Sequence, residues 1–240
     1  MLPTASSPGW QADLVTTARR RARKGDGDLL REEILEATER LLFETGSEAA
    51  VSIRAVARAV GVTPPSIYRH FPDKTHLMFE VCERQFALLD ETLEEAVTGI
   101  EDPLEAMAAR GRAYVRFGVE HPEHYRIMFM LAADRTPQEW GDIVTTGSFA
   151  NLVHGIQRMV DSGHLEPDVD TYRTALHVWA NIHGLTSLLI TKPGMPWPEL
   201  ESFVEEHLQQ CFLAQMAFAR GGIEALAGPG AVSVRAQRRH

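Results

Sequence analysis

Hydrogen-bonding side chains are concentrated in one short stretch of the sequence, Thr63 to His70. It carries a threonine, a serine, a tyrosine, an arginine and a histidine, and further cations flank it at Arg54, Arg58 and Lys74. Hydroxyl, guanidinium and imidazole groups are the donors that meet phosphate oxygens and base edges in nucleic acids. This composition predicts a surface that binds by hydrogen bonds and charge.

Two histidines in the middle of the chain suggest a different chemistry. His121 and His124 lie beside Glu120 and Glu123, and imidazole with carboxylate is a common metal-ligand combination. However, Pro122 places them at a helix start, and no Glu-x-x-His sequence supplies the other half of a helical-bundle metal site. The chain also has no Gly-x-Ser-x-Gly sequence and no phosphate-binding glycine loop. We therefore expect no enzyme, no cofactor and no metal, and keep a metal-dependent enzyme as an alternative.

Three helical segments must position the hydrogen-bonding stretch. The first begins at Leu29 and is stopped by Gly46. The second runs from Ile53 to Val60, after the capping residue Ser52, and is closed by Gly61. The third runs from Pro64 to His70 after the capping residue Thr63. A helix of about eight residues, a turn with glycine and a second short helix form the helix-turn-helix pattern. In that arrangement the second helix presents its side chains to the major groove of DNA.

Helical patterns continue through the rest of the chain. Asp73 is placed to cap a fourth helix that reaches about Val97. Further patterns, separated by proline or glycine, cover residues 103–119, 122–133, 137–163, 168–191 and 197–219. Because no alternating strand pattern occurs, the sequence predicts an all-α protein.

Charge is distributed unevenly along the 240 residues. The net charge of the whole chain is −9, yet residues 1–76 carry 11 Lys and Arg against 10 Asp and Glu. Such asymmetry hints at a nucleic-acid-binding end joined to a different module. Only two cysteines occur, and no apolar run is long enough to span a bilayer, so we expect a cytoplasmic protein with no membrane partner.

The stretch from Ile34 to Leu77 resembles the DNA-binding domain of TetR-type regulators. The Gly-Val-Thr turn, the Ile-Tyr-x-His-Phe ending of the third helix and the lysine that follows share that family's register. The resemblance implies a three-helix helix-turn-helix head over residues 29–75 and an all-helical effector-binding and dimerisation domain over residues 76–220. It also implies a dimeric regulator that binds a pseudo-palindromic DNA operator.

The resemblance also implies roles for individual residues. Ser52 and Thr63 would cap helices at the phosphates, Tyr68 and His70 would contact the backbone or base edges, and Lys74 would meet a phosphate. The complete predicted DNA-binding set is Ser52, Arg54, Thr63, Pro64, Pro65, Ser66, Tyr68, Arg69, His70 and Lys74. The Pro64-Pro65 pair stands where the family more often has serine or glycine, so fewer side chains remain to read bases.

The rear domain shows a second resemblance. Residues 121–129 and the sequence Trp179-Ala-Asn-Ile-His183-Gly184 are similar to a TetR subset marked by a Trp-x-x-x-His-Gly motif. A family pocket between these helices would take a small, mainly apolar or aromatic effector. The predicted lining is Phe117, His121, Tyr125, Met128, Phe129, Trp140, Phe149, Trp179 and His183. Aromatic residues in helices are more often simple core residues, and that alternative stays open.

The last two long helical patterns, 172–190 and 200–219, are apolar on more than one side. A single bundle cannot bury all of these faces, so a homodimer through the two helices is predicted. Together these expectations describe a ligand-released repressor. Activation remains open, and a helical, dimeric interaction protein without specific DNA binding is the other alternative.

The two ends of the chain have basic, low-hydrophobicity sequences. Residues 1–28 include the run Arg19-Arg20-Arg21-Ala22-Arg23-Lys24, and residues 221–240 include three arginines. The first segment is either a solvated tail or a flexible arm that lies along the phosphates. The second is predicted to be a disordered tail.

Overall fold

The computed structural model describes residues 26–129 and 147–219, and all regular structure within them is helical. A short 3-10 turn covers Glu48–Ala50. The helices are α1 (Asp26–Thr45), α2 (Ile53–Val60), α3 (Pro64–Ile67), α4 (Lys74–Val97), α5 (Pro103–Glu120), α6 (Pro122–Phe129), α7 (Gly147–Asp161), α8 (Thr171–Thr191) and α9 (Leu200–Ala219). The all-α prediction is confirmed for these residues.

The first helices enclose a small core of their own, as the helix-turn-helix pattern predicts. The predicted bounds of α2 are confirmed: the Ser52 hydroxyl accepts a hydrogen bond from the Ala55 N–H at 3.2 Å, and Gly61 ends the helix with φ of 76°. A positive φ costs glycine little, which is why the chain turns there. Helix α1 begins at Asp26, three residues before the predicted start.

Helix α3 differs from its prediction. It is a single turn, Pro64–Ile67, and hydrogen-bonded turns continue the chain through His70. Thr63 occupies the N-cap position, but its side chain caps no backbone N–H. The reason lies in the two prolines, which bring no N–H to the first two helical positions. The third position, Ser66, already donates its N–H to the Thr63 carbonyl at 2.8 Å.

Helix α4 joins the two halves of the described chain. Asp73 caps it as predicted, accepting from the His76 N–H at 2.9 Å. Leu77 and Val81, near its start, are buried in the core of the head. Leu89 and Leu93, farther along, are buried in the core of the rear domain. One continuous helix therefore belongs to both cores.

The rear helices largely follow their predicted bounds. Helix α5 runs one residue farther than predicted, α8 and α9 each begin three residues later, and α7 begins at Gly147. Residues 130–146, which contain parts of two predicted helices, lie outside the described residues. The deviations are confined to helix ends, where assignments depend on a single capping residue.

Several large apolar side chains of α8 and α9 are exposed in the single chain. Leu188 is 49% exposed on α8, and Leu213 is 65% exposed on α9. In the described part of the chain, no helix combines the length and hydropathy needed to cross a membrane. The exposed Leu188 and Leu213 agree with the prediction that these two helices have apolar side chains on more than one side.

Helices α5 and α8 cross in close contact at Gly118. A methyl group on Gly118 would overlap the Thr186 methyl and approach the Tyr125 ring at 3.1 Å. The Thr186 hydroxyl donates to the Ile182 carbonyl at 2.8 Å, which holds the side chain in this rotamer. The glycine is therefore required by packing.

Gly118→Ala is expected to lower the free energy of unfolding by about 1–3 kcal/mol, because the helices must separate or distort. Gly27→Ala is the control, since a methyl there meets nothing within 4 Å. The midpoint of urea denaturation measures both variants. Equal midpoints for the two variants would contradict the close packing of α5 on α8.

Candidate DNA-binding surface and ligand cavity

The structure leaves the predicted DNA-binding residues accessible. Six are exposed, namely Ser52, Arg54, Thr63, Pro65, Tyr68 and Arg69. The other four, Pro64, Ser66, His70 and Lys74, are half-buried. They occupy the starts of α2, α3 and α4 and the turn that follows α3, which together form the candidate DNA-binding surface.

Two buried residues anchor helix α3 and the turn after it in the core of the head. Ile67 and Phe71 are fully buried in the core of the head. The Arg31 guanidinium lies 5.3 Å from the centre of the Phe71 ring. Tyr68, between the two buried residues in sequence, is 53% exposed. The apolar anchors thus fix the backbone and present the phenol to solvent.

The predicted phosphate contact Lys74 has partners within the head. Its Nζ donates to the Glu48 carbonyl at 2.7 Å and lies 3.7 Å from a carboxylate oxygen of Glu48. This pair ties the 3-10 turn to the start of α4. Contact between Lys74 and a phosphate stays a prediction.

The rear domain encloses a cavity of about 740 Å³ between α4, α5, α6, α7, α8 and α9. Most of its lining is apolar. Aromatic and sulfur-containing side chains include Phe86, Met107, Met128, Phe129, Phe149 and Trp179. A volume and lining of this kind suit a small organic molecule.

Five of the nine predicted pocket residues line this cavity: Met128, Phe129, Phe149, Trp179 and His183. Trp140 lies outside the described residues. The remaining three do not line it. Phe117 and Tyr125 are buried in the core, and His121 is exposed at the end of α5. Phe117 is in ring contact with His121, and Tyr125 is in ring contact with Tyr114.

Tyr125 nevertheless supports the lining through a buried hydrogen-bond network. Its hydroxyl lies 2.6 Å from Nδ1 of His183 and 3.4 Å from the Tyr114 hydroxyl. The Trp179 indole N–H donates to Tyr114 at 3.4 Å. Burial raises the pKa of Tyr114 to about 12 and also raises that of Tyr125, so both remain protonated.

The surroundings of His183 determine the protonation state of its imidazole ring. Burial lowers the pKa of its imidazole, which favours the neutral ring. The Tyr125 and Tyr114 hydroxyls both lie within hydrogen-bond distance of Nδ1, at 2.6 and 3.2 Å, and the tautomer of the ring decides which atom donates. His183 therefore brings a neutral, polar ring to a lining that is otherwise largely apolar.

Acid is expected to destabilise the fold through His183. Its pKa is lower in the folded than in the unfolded chain, so the unfolded chain binds more protons as the pH falls below about 6.5. The urea midpoint should therefore drop between pH 7.5 and 5.5, and less so in His183→Gln. The exposed His154→Gln is the control; an equal drop in all three proteins would contradict this role.

Helix α6, like α4, contacts both domains. Ile127 is buried in the core of the head, whereas Met128 and Phe129 line the cavity. His124, one turn earlier, packs on Phe43 of α1 with ring centres 4.8 Å apart. The run of apolar residues in α6 predicts burial, but nothing in it separates the residues that face the head from those that face the cavity.

Part of the lining is polar, and its residues are not among those predicted from the sequence. Asp90 of α4, Arg110 of α5 and His207 of α9 all line the cavity. Asp90 lies between Phe86 and Leu93 on the lining face of α4. A charged residue within an apolar face of a helix is the signal that could have found it, because such a residue usually has a partner or a function.

The two histidines considered for metal binding are in aromatic contacts. The rings of His121 and His124 are 5.4 Å apart, and both lie near the Phe117 ring. Burial lowers the pKa of His124. Within residues 26–129 and 147–219, no three His, Cys, Asp or Glu side chains are grouped to hold a metal ion.

Comparisons with known proteins agree on the architecture of both domains. Residues 34–81 match the family of bacterial regulatory proteins of the tetR type, and residues 107–211 match the tetracyclin repressor-like C-terminal domain. These two stretches make up more than half of the chain. The likeness to the Trp-x-x-x-His-Gly subset stays a prediction.

Individual relatives support the same assignment. The transcriptional regulator EthR of Mycolicibacterium smegmatis is 30% identical over 102 residues, 42% of this chain and 43% of EthR. The repressor KstR of Mycobacterium tuberculosis is 36% identical over 37% of each chain. Both matches therefore cover less than half of the relative.

A solved structure extends the likeness to nearly a whole relative. NalD, the secondary repressor of the MexAB-OprM multidrug efflux pump in Pseudomonas aeruginosa, is 25% identical, with a TM-score of 0.58 over 79% of this chain and 97% of NalD. Its match includes both the head and the rear domain. With its helix-turn-helix head, its helical rear domain and these matches, the chain belongs to the TetR family of bacterial transcriptional regulators.

Proposed function

We propose that this protein is a cytoplasmic repressor that binds a pseudo-palindromic operator as a homodimer and leaves it when a mainly apolar molecule fills the cavity. The observation that carries the proposal is the position of α6. Ile127 belongs to the core of the head, and its neighbours Met128 and Phe129 line the cavity. A ligand that displaces α6 therefore acts on the head without any intermediate element.

Helix α4 supplies a second connection. Leu77 and Val81 pack in the head, while Leu89 and Leu93 line the rear core and the cavity. Packed helices shift as units because their interiors are close to crystalline density. Binding of a ligand would then favour a spacing of the two heads unsuited to DNA, by as much as the ligand's affinities for the two states differ.

Dimerisation is supported by the exposed apolar side chains of α8 and α9. Leu188 and Leu213 are 49% and 65% exposed. A second copy of the same two helices would cover them in a four-helix interface. Two heads so joined can bind half-sites one turn of DNA apart, about 34–36 Å.

Fluorescence anisotropy tests the proposal directly. The labelled probe is DNA flanking the protein's own gene, compared with random DNA of equal length at two salt concentrations. Selective binding of two protomers per site supports the proposal. Absence of binding even at low salt contradicts it, since non-specific phosphate contacts alone give measurable affinity under such conditions.

Lys74→Ala is expected to weaken binding similarly on all DNA sequences and to lower the salt dependence by about one released ion per head. The reason is that a lysine contacts a phosphate as a point charge and reads no base. Loss of the Glu48 contacts is a competing effect, so the unfolding midpoint must be measured as well. Unchanged salt dependence in a stably folded variant would remove Lys74 from the interface.

A further inference from the structure

The imidazole ring of His183 has one nitrogen atom that the protein engages and one that it leaves accessible. The hydroxyls of Tyr114 and Tyr125 both lie within hydrogen-bond distance of Nδ1. In the described part of the chain, Nε2 has no hydrogen-bond partner, and it is not among the polar atoms that the fold shields from solvent. Since polar atoms in protein interiors are nearly always paired, Nε2 is available to a molecule that displaces water from its surroundings.

The accessible part of the His183 ring faces the cavity. The residue is half-buried and belongs to the cavity lining. Tyr125 stacks on one face of the ring, with ring centres 5.5 Å apart, and the two phenols cover the Nδ1 edge. Its other ring neighbours, Phe129 at 4.7 Å and Trp179 at 5.6 Å, line the cavity themselves. The edge that contains Nε2 is therefore the part of the ring that a ligand can reach.

The charges around the cavity favour a neutral partner for this nitrogen. Burial lowers the pKa of His183, so the ring itself carries no charge near pH 7. Arg110 is the one lysine or arginine among the described lining residues, and it already pairs with Glu94 at 2.8 Å. A carboxylate at His183 would lose its hydration without gaining a free cation, which is costly.

A hydroxyl group suits Nε2 better than other neutral polar groups. A hydroxyl both donates and accepts, so it can pair with Nε2 in either tautomer of the ring. An ether oxygen only accepts, and it therefore fits one tautomer alone. An amide brings two N–H bonds and a carbonyl, and the aromatic side chains of Phe129 and Trp179 would leave most of these groups unpaired.

We propose that Nε2 of His183 binds the hydroxyl group of a neutral ligand whose remaining surface is apolar. The apolar part packs against the aromatic side chains of the lining, among them Phe129, Phe149 and Trp179. This inference rests on the proposed function, because it defines the chemistry of the ligand that fills the same cavity.

Three naphthalene derivatives that differ in a single substituent test this selectivity. They are 2-naphthol, 2-methylnaphthalene and 2-naphthoate, titrated into the full chain below their solubility limits, with binding followed by calorimetry at pH 7. We expect 2-naphthol to bind roughly tenfold more tightly than 2-naphthoate, because the anion is desolvated without a cation to pair it. The inference is overturned if 2-naphthoate binds as tightly as 2-naphthol.

A pair of substitutions at His183 tests the role of Nε2 itself. The affinity ratio of 2-naphthol to 2-methylnaphthalene isolates the hydroxyl, since the apolar body is the same. In His183→Asn the amide lies as many bonds from the backbone as Nδ1, and nothing replaces Nε2, so the ratio should fall about fivefold, the value of one hydrogen bond. In His183→Gln the amide lies as far out as Nε2, and the ratio should be nearly unchanged. Equal ratios in the two variants would overturn the inference.

Nitrogen NMR of the unaltered protein provides a readout in case His183→Asn does not fold. With isotope-labelled histidine, 2-naphthol should shift the Nε2 resonance of His183, and 2-methylnaphthalene should shift it much less. His154, exposed on α7, is the control and should respond to neither probe. An Nε2 resonance of His183 that responds alike to both probes would overturn the inference.

The operator assay is run separately with the same probes, so that this inference and the proposed function can fail independently. Hydroxyl-selective binding without release of DNA would support the role of His183 and contradict the repressor mechanism. Release of DNA without hydroxyl selectivity would support the repressor mechanism and overturn the role of His183.

Discussion

Tyr68→Ala is expected to weaken operator binding by about thirtyfold while it leaves the unfolding midpoint nearly unchanged. Tyr68 is 53% exposed and makes no contribution to the buried core of the head. A hydrogen bond to DNA contributes about 1 kcal/mol, and a dimer loses it in both heads, so the loss doubles to about 2 kcal/mol. Anisotropy with operator DNA at fixed salt measures the change.

The control for this substitution is Leu29→Ala. Leu29 is 64% exposed on α1 and lies outside the predicted DNA-binding set. Both variants remove a large exposed side chain from the head, and surface substitutions of this kind usually change stability by less than about 0.5 kcal/mol. If Tyr68→Ala binds DNA like Leu29→Ala, the phenol is not in the interface. If Tyr68→Ala and Lys74→Ala both leave the protein's function intact, the interaction-protein alternative is favoured.

Ile127→Ala and Met128→Ala are expected to have opposite effects on regulation. These neighbours on α6 are each 2% exposed, and each substitution should cost about 2–4 kcal/mol of stability. Ile127→Ala removes the contact of α6 with the head, so a ligand should still bind but should release DNA poorly. Met128→Ala changes the cavity wall, so the affinity for the ligand should change. The effect of a bound ligand on DNA binding should be retained, because the contact of α6 with the head is intact.

The measurement is the affinity of an apolar effector, found by screening against the cavity, with and without saturating operator DNA. The ratio of the two affinities is the coupling between the sites, and it must be the same when measured from either ligand. We expect Ile127→Ala to reduce this ratio severalfold and Met128→Ala to preserve it. Equal ratios in the two variants would exclude α6 as the connection and leave α4 as the remaining one.

The head was largely predictable because its signals are local. Ser52, Gly61 and Asp73 each act within four residues along the chain, and all three were identified from the sequence and confirmed. The prediction failed at Thr63 because the consecutive prolines remove the donors that a cap requires. The same prolines accompany the shortening of α3 to one turn.

The cavity was predictable only in part. Trp179, His183 and three other predicted residues line the cavity of the structure. Phe117 and Tyr125 are also aromatic and are more deeply buried, yet they do not line it. Hydrophobic periodicity identifies the face of a helix that is buried, and it does not distinguish a packed neighbour from a void.

By itself, the sequence determined the all-α class, the helix-turn-helix head and most helix boundaries, because caps and periodicity depend on residues within a turn or two. Only the tertiary structure decided which buried residues surround the cavity. Asp90, Arg110 and His207 are on three different helices, and they line one cavity only because those helices pack together. Those crossings depend on how close the backbones approach, as at Gly111 and Gly118, and such contacts leave no local periodic signal.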